Sequence, residues 1–374
     1  MGGVFSVEML PAQNGDCIWI EYGQPGALRR LLIDGGPLCA FGALEERIRR
    51  LAPQERRLEL LVVTHVDTDH IDGIVKLLGR PELCPQATDL WFNGWPQISK
   101  PLPTAPPPPR STEHMRGPVQ GEYLRVRLAN RNAPWNRWFA GRAIHVPVPG
   151  AGAALPAVML EGDMRVTVLA PTPKRLESLR TAWVKAVRKA GFTEGDEAAA
   201  AEKLEAAKRY RGAEAPLPSV DWADLPLIDT KLDDTAANGS SIALLLEYEG
   251  RRCALLGDAF APDCEASLRQ LARERGEPRL RLDALKVSHH GSKKNTTPGL
   301  LDAIDCGCFL VSTDGSAGHE HPDEEAMRCI VQGARRPPRL VFNYECATTR
   351  RYADPAVQGG RFTADYACGT AVLL

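Results

Sequence analysis

The sequence predicts an α/β (α+β) chain in which two β-sheets pack face to face and helices cover their outer sides. Three observations carry that expectation. Strand-like runs open the chain and a helix-spaced stretch follows them. The same order, strands first and helices later, recurs in the second half. With 374 residues, 44% of them hydrophobic, the chain can also bury a large core.

Taken in order, residues 4–10, 17–22 and 30–33 read as strands, the last ending in Asp34-Gly35-Gly36, a tight turn that glycine tolerates easily. A helix is expected over 41–51. The apolar run Leu60-Leu61-Val62-Val63 is a further strand. Ile71, Ile74, Val75, Leu77 and Leu78 recur at helical spacing, so a helix begins soon after it. Six prolines between 101 and 109 preclude regular structure, and 97–155 is expected to be a proline-rich, irregular insertion. Residues 166–169 look like a core strand. The Ala-, Lys-, Glu- and Arg-rich stretch within 174–236 predicts a helical insertion, with two surface helices of which the second covers about 197–210. Strands return at 241–247 and 252–256 around the hairpin turn Tyr248-Glu249-Gly250-Arg251, and a helix at 261–274 and a strand at 284–287 follow. The whole span, 1–374, reads as one domain carrying the two insertions.

Bulk properties narrow the function. A formal net charge of -1 gives no global attraction to nucleic acid or to an anionic membrane. No apolar run reaches 18 residues, and the N-terminus runs straight into strand-like sequence without a leader pattern. The ten cysteines include no CxxC pair. Reduced thiols in a cytoplasmic protein without membrane contact are therefore expected.

Thr64-His65-Val66-Asp67-Thr68-Asp69-His70 places two imidazoles and two carboxylates in six residues at the end of a strand. A lone His-Asp pair there would be an ordinary hydrogen-bonded turn; four such groups suit a divalent metal of the zinc or manganese type. His65 and Asp67, two apart, share one side of an extended segment, while Asp69 and His70 point elsewhere, so the run is built for two adjacent metal positions. Asp258 follows the strand Ala254-Leu255-Leu256, and His289 and His290 follow Leu285-Lys286-Val287. Neighbouring residues on an extended chain face opposite ways, so one of His289 and His290 is expected as ligand and the other as a supporting or substrate contact.

Taken together, these motifs resemble the metallo-β-lactamase fold superfamily and, within it, the hydrolase domain of ComEC-type competence proteins. His65-x-Asp67-x-Asp69-His70 is similar to that branch's HxDxDH signature. Asn238-Gly239-Ser240-Ser241, Leu256-Gly257-Asp258, His289-His290-Gly291-Ser292 and Gly318-His319-Glu320-His321-Pro322 match its later elements in order. The resemblance implies a four-layer αββα sandwich and one or two ions, Zn²⁺ or Mn²⁺, per chain. It implies hydrolysis, of phosphodiesters above all, with DNA or RNA as substrate. By the same likeness Asp34 orients a metal-binding group, Asn238 and Ser241 support the site, and Asp16 lies beside it. Two departures stand out. The membrane channel is missing, and the interval between the first cluster and Asp258 offers only His114 and His145, neither in a motif.

A metal ion lowers the pKa of water it binds from 15.7 to about 7, supplying a nucleophile at neutral pH. Asp69 is expected to bind metal and accept a hydrogen bond from that water. His321, or His319 in its place, is expected to protonate the leaving oxygen or hold the phosphate. Lys293 and Lys294 could draw in a phosphate backbone. Hydrolysis of a small ester, thioester or lactam, and a degenerate metal-binding module with a regulatory partner, are the alternatives. The two insertions could also cover the site until a partner or protease displaces them.

Overall fold

The alternation of side chains along the early strands sets the architecture. In the strand Ile18–Gly23, Ile18, Ile20 and Tyr22 enter one buried cluster, while Trp19 and the preceding Cys17 enter another. A strand that buries both faces must lie in an inner layer. The computed structural model describes residues 2–103, 117–148, 152–210, 233–316 and 321–374, and it shows the expected four-layer αββα sandwich.

The first sheet contains β1 (Val4–Met9), β2 (Ile18–Gly23), β3 (Arg29–Ile33), β4 (Leu60–Val62), β5 (Leu90–Trp91) and β14 (Ala371–Leu373), in the order β14-β1-β2-β3-β4-β5. The second contains β6 (Ala157–Met159), β7 (Arg165–Ala170), β8 (Ala243–Tyr248), β9 (Arg251–Leu255), β10 (Ala284–Lys286), β11 (Cys308–Val311), β12 (Arg339–Phe342) and β13 (Thr363–Tyr366), running in order from β13 down to β6. In both sheets the pairs at the site end are parallel: β3 with β4 and β4 with β5, and β9 with β10 and β10 with β11. Parallel neighbours deliver their C-terminal loops to one edge, where open α/β sheets place their ligands.

Phe5, Val7 and Ile20 of the first sheet share a core with Val166, Leu244 and Leu255 of the second. On the other side of the first sheet, Trp19, Leu32 and Val63 meet α1 (Phe41–Arg49), α2 (Thr68–Leu78), α3 (Gly117–Asn130) and α4 (Pro173–Lys189). On the second sheet, α6 (Ala261–Glu274) packs on β7, and α7 (Glu324–Gly333) adds Ala326, Met327 and Ile330. The expected hairpin turn is present, with Glu249 and Gly250 both at positive φ, as a two-residue loop between twisted strands requires.

Two stretches differ from expectation. The region 97–155 contains the 14-residue helix α3, which packs on α2. Its buried Glu122 takes the indole N–H of Trp183 at 2.9 Å, so the apolar period is blurred by charge inside the core. The helices expected after 174 are present as α4 and α5 (Glu197–Ala206), but α4 buries Leu176, Leu179, Trp183 and Val187. It is part of the outer helical layer of the sandwich. Most of the proline run and residues 211–232 lie outside the described residues.

All ten cysteines are free thiols. Among the described residues no helix is long and apolar enough to cross a membrane.

Candidate metal centre

The site forms where the loop after β4 meets the loops after β3, β9 and β10. Asp34, just beyond β3, sits at φ 59°, and its N–H donates to the Val62 carbonyl at 2.8 Å. That left-handed turn aims its carboxylate across the sheet end. Asp34 Oδ1 accepts from the Thr64 N–H at 2.7 Å, and Oδ2 accepts from the Thr64 hydroxyl at 2.6 Å and from His70 Nδ1 at 2.8 Å. The hydroxyl's one hydrogen is committed to Asp34, so Thr64 Oγ1 accepts from His65 Nδ1 at 3.0 Å. One carboxylate thereby fixes the tautomer of both imidazoles and leaves both Nε2 lone pairs facing the cleft.

The start of α2 approaches this turn closely. A Cβ on Gly73 would stand 2.0 Å from the Gly35 carbonyl oxygen, and one on Gly15 would stand 1.9 Å from that of Asp69. Glycine at both positions lets the helix seat against the strand ends. Asp67 is the N-cap residue of α2, yet its side chain makes no capping bond. Its carboxylate lies 3.6 Å from His65 Nε2 instead, so a position that usually stabilises a helix faces the cleft.

From the second sheet, Gly257 at φ 50° turns the chain so that Asp258 enters the same space, and the Asp258 N–H donates to Ser241 Oγ at 3.2 Å. Asp258 is central: Oδ1 is 3.5 Å from His70 Nε2, and Oδ2 is 3.8 Å from His65 Nε2, 3.8 Å from His289 Nε2 and 3.9 Å from His290 Nε2. Asp69 Oδ2 lies 3.5 Å from His290 Nε2 and 3.9 Å from His70 Nε2. Groups far apart in sequence therefore converge as expected, and His70 faces both halves of the cluster.

His289 and His290 do not alternate as on a strand. β10 ends at Lys286, and both histidines adopt positive φ, 48° and 55°, in a tight turn. Both imidazoles consequently approach Asp258. His290 is the inner one, with its Nδ1 donating to the Ser312 carbonyl at 2.9 Å. His289 is the outer one, its side chain 22% exposed.

The donor set fits a divalent cation. Nε2 of His65, His70 and His290 and Oδ1 of Asp258 are buried without a hydrogen-bond partner among the described residues. Such atoms are costly unless something else fills their need. Ligands about 2.0–2.1 Å from one tetrahedral metal stand about 3.3 Å apart, close to the shorter separations here. His65, His70 and Asp258 form one group that could hold an ion, and Asp69, His70 and His290 form another.

Charge tells the same story. Burial opposes the protonated form of His70, but Asp258, Asp69 and Asp34 together hold its pKa well above the usual histidine range. His289 is treated likewise, burial being outweighed by Asp258 and Asp233 to give about 9. Burial raises Asp69, but His70 and His290 bring it down to about 2; Asp258 is held well below the ordinary carboxylate value by the same kind of neighbours. The cluster calls for positive charge, which protons supply when no metal does. His321 is different. Burial holds it down to about 4 despite Asp323 nearby, with His289 adding to the effect. This environment favours the neutral imidazole, which suits a lone-pair donor.

Several supporting groups carried no sequence signal. Asp233 Oδ2 lies 3.2 Å from His289 Nδ1 and accepts from Asn238 Nδ2 at 2.8 Å, while Asn295 Oδ1 lies 3.1 Å from the same ring nitrogen. Thr64 as the link to His65, Ser312 under His290, and Lys286 paired with Asp16 were also missed. Burial opposes ionisation of Asp16, yet the Lys286 ammonium beside it keeps its carboxyl well below the usual range. Lys293 pairs with Glu325 at 3.3 Å. His145 Nδ1 donates to the neighbouring Val146 carbonyl, and the donor groups take nothing from the interval between His70 and Asp258 among the described residues. His319 and His114 lie outside the described residues.

No protein-family model matches this chain, and no curated protein matches it in sequence. Among solved structures it is similar to a mutant CmlA beta-hydroxylase, with 12% identity and a TM-score of 0.40, over 100% of this chain and 54% of that one. The chain thus spans about half the length of that structure.

Proposed function

We propose that this chain is a metal-dependent hydrolase acting on phosphodiesters, with DNA or RNA as the substrate class. The observation that carries the reading is the convergence of three unpartnered imidazole nitrogens, from His65, His70 and His290, on the shared carboxylate of Asp258. His65, Asp67 and Asp258 would hold one cation, Asp69, His290 and Asp258 a second, with His70 between them. Zn²⁺ and Mn²⁺ both suit mixed imidazole and carboxylate donors. When bound, such an ion supplies an ionised water and offsets the charge growing on phosphoryl oxygens.

The chain's own residues do the remaining work. Asp34 and Thr64 keep His65 and His70 turned toward the cleft, and Ser241 holds Asp258 by its backbone. His289, backed by Asp233 and partly open to solvent, holds a proton at neutral pH and can present it to a leaving oxygen. His289 replaces His321 in that role in this reading; His321 stands beside it, with ring centroids 5.4 Å apart, as a neutral contact.

A small ester, thioester or lactam is the second reading. It is favoured by the net charge of -1 and by the engagement of Lys293 with Glu325, which weakens the case for a phosphate-tracking basic strip. Metal analysis followed by assays of the Mn²⁺- and Zn²⁺-loaded protein on bis(p-nitrophenyl) phosphate, linear DNA, RNA and nitrocefin separates the readings. Turnover of the phosphodiesters, lost in Asp258→Ala, is expected. Cleavage of nitrocefin alone would move the assignment to the second reading, and no turnover by fully metallated protein would leave a binding module.

A further inference from the structure

We propose that the buried ion pair of Lys286 and Asp16 is a positioning device for the metal centre, holding Asp16 as a brace for His290 and Asp69 and keeping it out of the cation's coordination. The inference rests on the metal-binding reading above and deepens it.

Lys286 stands on β10 with its side chain 1% exposed, and Asp16, in the loop between β1 and β2, is 3% exposed. An ammonium buried this deeply in the body of a sandwich is costly, and an apolar side chain of similar volume would serve packing as well or better. Its position therefore calls for an electrostatic reason. Asp16 provides one, because it touches two of the three residues of the second group, His290 and Asp69. Its Oδ1 lies 3.5 Å from His290 Nδ1, and its N–H donates to the Asp69 carbonyl at 3.2 Å. That Oδ1 has no hydrogen-bond partner among the described residues.

Asp16 also belongs to a third grouping, with Asp34 and His70, whose donor atoms all lie within 4.8 Å of one another. Asp34 is already bonded to Thr64 and to His70 Nδ1. A cation drawn into that grouping would compete for the very imidazole that faces both halves of the front cluster. The Lys286 ammonium is a tethered cation on Asp16, and it disfavours a second positive charge beside it. Removing Lys286 releases Asp16 toward His70 and disturbs its hold on His290 and Asp69.

The test is a Mn²⁺ titration of the full chain, reading free Mn²⁺ by EPR, on the wild type, on Lys286→Met and on Asp16→Asn/Lys286→Met, with folding followed by circular dichroism. Lys286→Met is expected to weaken Mn²⁺ binding at one position by about tenfold or more, the scale of losses on removing outer partners of metal ligands. The double variant has no unpaired charge, and its asparagine keeps a side-chain oxygen beside His290 Nδ1 and the backbone N–H that meets the Asp69 carbonyl. It is expected to return to within about threefold of wild type, well short of a loss on that scale. Recovery in the double variant supports the proposal even if Lys286→Met fails to fold. Wild-type affinity and stoichiometry in folded Lys286→Met overturn it, as does a folded double variant that binds no better than the single one. If the wild type itself binds no Mn²⁺, the metal-centre reading fails first, and that result is separable from the others.

Discussion

Replacing Thr64 with valine removes one hydroxyl and almost no volume, so it isolates the link from Asp34 to His65. The bond from Thr64 Oγ1 to the carboxylate is 2.6 Å long and buried, and the contact with His65 Nδ1 is 3.0 Å. A hydrogen bond to a charged group contributes about 1.5–3 kcal/mol. Outer-partner losses in metal sites cost about 10–100-fold in affinity, equivalent to about 1.4–2.7 kcal/mol. The two routes agree, so Thr64→Val should weaken cation binding by about 10–100-fold. Asp34 still holds His70 directly in this variant, and the Thr64 N–H bond to Asp34 survives. The loss should therefore fall on the cation served by His65 and spare the one served by Asp69 and His290. Asp34→Asn, in contrast, should weaken both. Competition with a chromophoric chelator, using Zn²⁺ and resolving two binding steps, reads the difference. Thr64→Val that weakens both steps equally, or neither, would refute the claim that one carboxylate governs the two imidazoles by separate routes.

Three further outcomes are expected. Gly73→Ala places a Cβ 2.0 Å from the Gly35 carbonyl, so α2 must shift; a loss of about 1–3 kcal/mol in urea unfolding is expected, as for other overpacked contacts, together with weaker metal binding. Asp72 is raised by burial to about 6 and bonds the Tyr210 hydroxyl at 2.5 Å. Its folded pKa lies above the unfolded 3.8, so the fold is penalised increasingly as pH rises from about 4 to 6; Asp72→Asn should add about 1–3 kcal/mol at pH 7.5 and little at pH 4, by urea unfolding of metal-free protein. Chelation should lower the melting temperature of the loaded protein, since ligand at 100 times Kd stabilises by about 2.7 kcal/mol; an unchanged melting curve with EDTA would count against a resident cation.

The parts of the site legible in sequence were those fixed by local chain geometry. Strand-loop-helix timing placed His65 to His70 at a sheet end, and Asp258 and the His289-His290 pair after strands, where the structure has them. What escaped was of two kinds. His289 and His290 were read as extended, but both residues lie at positive φ, a conformation that nothing in a His-His-Gly triplet announces. Asp233, Thr64, Ser312 and Lys286 act through contacts across 1 to 270 positions of sequence, from Thr64 and His65 to Lys286 and Asp16. Each is an ordinary residue until the fold supplies its partner. The helix α3 was hidden for the opposite reason: its buried Glu122 accepts from Arg125 and from the Trp183 indole, so the sequence looks polar where the chain is in fact enclosed.

The same charges explain why this edge of the sandwich is expected to need cations in order to be quiet. Asp16, Asp34, Asp67, Asp69, Asp233 and Asp258 crowd one small volume, with Lys286 as the fixed positive charge among them. Protonated imidazoles can offset the excess, which is why His70, His289 and His290 are all pushed toward their cationic forms. But a protonated imidazole spends the lone pair that would bind metal. One divalent ion would leave several carboxylates uncompensated, whereas two would bring the cluster near balance with the ligand imidazoles of His65, His70 and His290 neutral and the proton on His289 retained. The balance thus favours two ions over one in the proposed centre, and it predicts that cation binding releases protons, measurable as the buffer dependence of the binding enthalpy. Binding without proton release would mean that the imidazoles were already neutral and that this electrostatic account of the site is wrong.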